Sequence, residues 1–152
     1  MANLFPDSYY TENTGSSTTN TNTGIEYKGS YKFDFKKGEF VKNPDGTIKK
    51  CDDLEAYAQW CQMALLTDRY KYIYSNLFGQ EFSRLEDGKY SRDAIELEVK
   101  RMTVEALMVH PRTKEVTGFT FKWQNNGELY YEYTAVTVDN NKVGLSNSVN
   151  VG

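Results

Sequence analysis

Apolar and polar positions change their period several times along the chain. Residues 11–24, TENTGSSTTNTNTG, hold no apolar side chain. Such a stretch has nothing to bury against the entropy of ordering, so residues 1–26 are expected to form a flexible arm, open to ordering on a partner. From Tyr27 the period becomes two. Tyr31, Phe33 and Phe35 alternate with Lys32 and Asp34, as in a half-buried strand. KKG at 36–38 turns the chain, and Glu39, Phe40 and Val41 return it. NPDGT at 43–47 makes a second turn, in which proline presets one torsion and glycine permits a positive one.

A helical period follows. Asp52 or Asp53 suits an N-cap, and Leu54, Ala58, Cys61 and Leu65 then share one stripe, with Trp60 off it. This helix is expected to end near Leu66 or Thr67. A helical turn is expected around Leu77–Leu85. Ser91 suits the cap of a second long helix with Ile95, Val99, Met102 and Ala106 on its stripe, stopping before Pro111. Next, Phe119, Phe121 and Trp123 alternate with Thr120 and Lys122. NNG at 125–127 is hairpin chemistry, and Leu129 to Val138 returns as a strand. Its two faces read Leu129, Tyr131, Tyr133, Ala135 and Tyr130, Glu132, Thr134, Val136; bulk on both predicts that both are covered. DNNK at 139–142 turns again, before a polar but β-capable VGLSNSVNVG. The sum is an α+β fold: a small mixed or antiparallel sheet, two main helices and a C-terminal β-hairpin. The domain spans 27–138, between the arm and a tail over 139–152.

Composition narrows the function. With 152 residues and 39% hydrophobic content the chain can build one real core. A net charge of -3 gives no basic face for nucleic acid. The pairs Lys36-Lys37 and Lys49-Lys50 read as solvated turns. No apolar run approaches the roughly 20 residues of a membrane span. MANLFPDSYY does not read as a secretory signal, so folding in a reducing cytoplasm is expected. Cys51 and Cys61 flank one helix, about 15 Å apart, and are expected as buried or half-buried free thiols. His110 is the only histidine, which leaves a Cys/His metal site poorly supplied.

No phosphate loop, nucleophile elbow or zinc-protease motif is present, and the reading nominates no catalytic, cofactor or metal residue. Glu81, Asp87, Asp93 and Glu96 are the carboxylates a glycosidase reading would need, but among 21 acidic residues some pair always fits. What stands out is 12 Tyr and 8 Phe, side chains that suit contact surfaces as well as cores. They crowd in LLTDRYKYIYSNLFGQEF at 65–82. As a strand, this run would put Tyr70, Tyr72 and Tyr74 on one face, with core and interface equally served.

CDDLEAYAQWCQMALLTDRYKYIYSNLFGQEF at 51–82 resembles the central signature of the XkdS-like phage tail proteins, within the gpW/tail-lysozyme-like family of contractile baseplate wedge proteins. Asp53, Ala56, Gln59, Leu66, Thr67, Arg69, Tyr70, Tyr74, Ser75 and Gly79 carry the match, and YKFDFKKGEF at 31–40 resembles the family's first strand. The family's Glu-Pro-Arg motif stands here as His110, Pro111 and Arg112, with histidine in place of glutamate. The resemblance implies a structural baseplate component of a phage tail or phage-tail-like particle, joining the wedge core to the first sheath ring. It is expected to assemble in the bacterial cytoplasm. Implied partners are baseplate J-like wedge proteins, a LysM-containing hub or wedge protein and the tail sheath, with the tail tube or hub as a further contact. Implied partner-binding residues are Arg69, Tyr70, Tyr74, Pro111, Arg112, Tyr131 and Tyr133. The last two are expected to fix the register of a sheath strand added along the outer edge of the Val116–Val138 hairpin, with the tail to Val149 part of the attachment, where Thr134→Pro would block it. The family label also implies an alternative, a peptidoglycan-cleaving tail-lysozyme-like hydrolase.

Overall fold

A computed structural model describes residues 29–72 and 76–151. The arm expected over 1–26 lies outside the described residues. Residues 30–51 form a small antiparallel meander. β1 (Phe33–Asp34) pairs with β2 (Glu39–Phe40) through Phe33↔Phe40 and Asp34↔Glu39. The turn between them closes on Asp34, whose Oδ1 accepts from the N–H groups of Lys36 and Lys37 at 2.9 and 3.1 Å. The second turn closes as its chemistry predicts: Gly46 N–H donates to Asn43 O at 3.0 Å and Asn43 N–H to Thr47 O at 2.8 Å. Cys51 N–H then returns to Ser30 O at 2.8 Å.

α1 (Asp53–Leu66) starts at a complete capping box. Asp52 Oδ1 accepts from Glu55 N–H at 2.7 Å, and Glu55 Oε2 accepts from Asp52 N–H at 3.3 Å. Such a cap stabilises a helix by about 1 kcal/mol. The buried residues are Tyr57, Cys61, Ala64 and Leu65. The stripe is therefore rotated from the expected one, leaving Leu54 and Ala58 only half-buried. Tyr57 tolerates burial because its hydroxyl pairs with Thr113 Oγ1 at 2.8 Å. A loop and a 3₁₀ turn (Phe82–Leu85) lead to α2 (Arg92–Met108). Ser91 caps α2, and Ile95, Val99, Met102 and Ala106 are buried as the stripe predicts, joined by Thr103 and Leu107.

β3 (Thr113–Trp123), β4 (Glu128–Thr137) and β5 (Lys142–Asn150) form an antiparallel sheet in that order. α2 packs against β3 and α1 against β5. Leu129, Tyr131, Tyr133 and Ala135 lie buried beneath the helices. On the opposite face Tyr130 and Thr134 are half-buried and Glu132 is exposed; of the four residues assigned there only Val136, near the strand's end, is buried. One face is covered rather than two, because the second is polar and water satisfies it. The β3–β4 register shifts between Thr113 and Glu115 and again between Thr117 and Thr120. At the second shift Gly118 adopts φ +67, a torsion that favours glycine, and the extra residue resets the phase so that Val116 and Phe119 both face the core.

Candidate functional site

The sheet decides which edges a partner strand can reach. β4 is central: Thr134 pairs with Thr117 on one side and Gly144 on the other. The hairpin edge expected to be open is therefore closed by β5, and Thr134→Pro would break the sheet itself. Backbone pairing asks for no apolar side chains, so the polar tail serves as a full strand. Tyr131 and Tyr133 are 0% and 2% exposed, packed beneath the helices. Tyr131 OH shares a hydrogen bond with Thr103 Oγ1 at 3.1 Å, and burial pushes its pKa up to about 12.

The two outer edges differ. β3 carries both bulges and three charged residues, Lys114, Glu115 and Lys122. α2 reaches towards it: Trp123 Nε1 donates to Glu96 Oε1 at 2.7 Å, the Arg92 guanidinium lies 5.1 Å from the Trp123 ring, and Lys100 lies 5.7 Å from the Phe119 ring. β5 pairs with β4 without a register shift from Asn150 to Lys142, and Lys142 is its only charged residue. Bulges and charges are the usual protection of an edge, and β5 has neither along 143–150. An uncharged run ending a chain rich in charge was the signal for this edge in the sequence.

The described residues of the aromatic stretch after α1, 67–72 and 76–81, form no named strand. The base of the stretch is closed by Arg69 N–H to Gln80 O at 2.7 Å and Gln80 N–H to Thr67 O at 3.0 Å. Gly79 sits where a Cβ would lie 2.6 Å from Thr67 O. Arg69 is used internally: its Nε and Nη2 donate to Gly79 O at 3.2 and 3.0 Å, and Nη1 meets Glu105 Oε1 at 2.6 Å. Tyr70 has φ +66 and is 61% exposed, turned outward at some conformational cost. Tyr72 and Leu77 are also exposed; Tyr74 lies outside the described residues.

Arg112 is buried at the corner between α2 and β3. Its Nη1 contacts Asp53 twice, at the backbone O (3.1 Å) and at Oδ1 (2.8 Å), and Nη2 lies 3.8 Å from Asp139 Oδ2. The guanidinium fork thus ties the start of α1 to the β4–β5 turn inside the chain. His110 precedes it, packed edge-on to Trp60 and Tyr57 with ring centroids 4.5 and 5.3 Å apart. Its Nδ1 accepts the Arg112 N–H at 3.1 Å, and burial, then the Arg112 charge, lowers its pKa. Pro111 is exposed. Gln59, matched in the sequence without a role, holds the meander: Nε2 donates to Tyr31 O and Oε1 accepts from Phe33 N–H, both at 2.8 Å.

Three of the four nominated carboxylates are engaged in separate pairs. Glu81 pairs with Arg84 at 2.8 Å, Asp87 with Lys89 at 3.5 Å, and Glu96 holds Trp123. Both cysteines are free and buried, and burial pushes the Cys61 thiol up to about 12. Among the described residues no group of three or more His, Cys, Asp or Glu could hold a metal ion, and no helix is long and apolar enough to cross a membrane. A comparison with curated proteins found no match. Residues 29–140, from the meander through the β4–β5 turn, match the family model described as a contractile injection system sheath initiator. The chain therefore belongs to the sheath initiator family and has a structural role in starting the sheath of a contractile tail-like particle.

Proposed function

We propose that the protein joins the wedge core of a contractile baseplate to the first sheath ring, and that β5 accepts a sheath strand. The observation that carries this reading is the contrast of edges. Among the described residues no strand pairs with the outer side of β5 over 143–149, and such a regular, nearly uncharged edge is a template for one more strand, while β3 is bulged and charged. Exposed Tyr70, Tyr72 and Leu77, beside Arg69 braced on Glu105, face the wedge, and exposed Pro111 lies at a second corner. Baseplate J-like proteins and a LysM-containing protein are the wedge partners in this reading, which retains the XkdS-like kinship carried by residues 51–82. Assembly takes place in the bacterial cytoplasm, before the particle is released.

Consecutive strand residues point their N–H groups to opposite sides. Of Ser146→Pro and Asn147→Pro, one therefore strips a donor from the free edge and the other from the ladder with β4. The variant that keeps its fold by NMR should enter baseplates that carry no sheath in electron micrographs. Normally sheathed particles from that folded variant would overturn the reading.

A further inference from the structure

Beside the β5 edge runs a groove of about 560 Å³. It wraps the strand at Ser146–Ser148, and its far wall is Leu65 and Leu66 of α1 with Phe35 and Lys36 of the β1–β2 turn. Leu66 is 60% exposed there, an aliphatic side chain left in water at the end of a helix. A strand added to β5 would project alternate side chains to its two sides, and those on the helix side would enter this groove. The apolar wall suits a large hydrophobic residue, and the volume exceeds what one ring fills. Charge adds a second condition. Among the described residues Lys36 is the only charged one lining the groove, and Lys142 is the only one in β5. No carboxylate on either answers them.

Resting on the reading of β5 as the sheath-facing edge, we infer that the groove selects the added strand: it takes an acidic partner segment with an aromatic or large aliphatic anchor seated between Phe35 and Leu66. Backbone pairing supplies affinity for any strand, and the groove supplies the choice among strands. The occupant in this reading is a segment of a neighbouring protein; residues 1–26, which also carry acidic and aromatic side chains, are the competing occupant that the experiment separates.

The probe is a nine-residue Thr/Val peptide with phenylalanine at its fifth position and glutamate at its third and seventh, titrated into the full chain and followed by amide shifts. It should perturb 143–149, and replacing phenylalanine by serine should weaken binding at least tenfold. Swapping its glutamates for lysines should weaken binding severalfold at low salt. The exposed variants Leu66→Asp and Lys36→Glu should cancel the phenylalanine preference and reverse the charge preference, respectively. If all three peptides shift 143–149 with equal affinity, the selectivity is wrong and the edge reading stands. If the first peptide does not bind at millimolar concentration, the inference fails, and the proline pair decides whether the edge reading falls with it. If deleting residues 1–26 alone strengthens peptide binding tenfold, the groove holds the chain's own arm, and the partner assignment is overturned.

Discussion

Residues 30–51 and residues 113–150 each fold into antiparallel segments, and the two regions are held in different ways. In the C-terminal sheet the side chains do the holding. Leu129, Tyr131 and Ala135 are fully buried under two helices, with Phe119 and Tyr133 stacked at 5.8 Å. In the N-terminal meander no residue from Gly29 to Lys50 is buried. Phe33 meets Phe35 and Phe40 at 5.1 and 5.2 Å, yet Phe40 remains 47% exposed. The meander is fixed from outside, by the Gln59 amide standing in for a neighbouring strand and by a Lys32–Glu55 ion pair at 2.7 Å. That ion pair is solvent-exposed on both sides and contributes little. The difference teaches that two regions of similar topology can stand at opposite ends of the stability scale.

Breaking the sheet should give the largest effect. Leu129→Ala leaves a cavity under both helices and should cost about 3 kcal/mol, read as a lower urea midpoint with unchanged slope. Arg112→Ala should follow, at about 2 kcal/mol; the loss is tempered because its partner Asp53 is half exposed and water takes over. A midpoint unchanged within error would return Arg112 to the partner surface where the sequence placed it.

Gln59→Ala should separate the two regions. It should cost about 1 kcal/mol, confined to the meander. Amide exchange should quicken at Phe33 and Val41 while Tyr131 and Val99 stay protected. Equal quickening in both regions would show that they open together.

The smallest effect concerns pH. His110 has a folded pKa lowered below its unfolded value, so the folded state favours the neutral ring. The associated stability is fully present above the unfolded value near about 6.5 and is lost as pH falls from there through the lower folded value. Thermal midpoints should therefore decline between pH 7.5 and 5.5, and His110→Gln should flatten that decline. The carboxylates with lowered values, Asp45, Glu55 and Glu105, act in a separate, more acidic window.

Local chemistry was legible in the sequence wherever one segment settled its own structure. The Asp52 box, the Ser91 cap, the Asn43–Thr47 turn and the α2 stripe all follow from neighbouring residues. What escaped depended on distant partners. The rotation of α1 follows from Thr113, 56 positions away, which satisfies the Tyr57 hydroxyl. Tyr131 offered a polar tip that reads as interfacial until Thr103 appears beside it. Arg112 has the same property, since its acceptor at Asp53 is 59 residues away. β5 was legible only as a β-capable tail, because Ser146, Asn147 and Ser148 show no apolar alternation, although their backbone pairs fully. The matched Gln59 and Gly79 were visible, but their work on Tyr31, Phe33 and Thr67 was not.

The bulges in β3 have a consequence for direction. A sheet with two usable margins can propagate both ways and leaves the order of addition to chance. Here Lys114, the Gly118 kink and the side chains reaching over from α2 blunt one margin, while the β5 margin stays straight. If β5 is the joining edge proposed above, the domain is a seed with one live end, and a ring of such seeds would have a built-in polarity before its first subunit arrives.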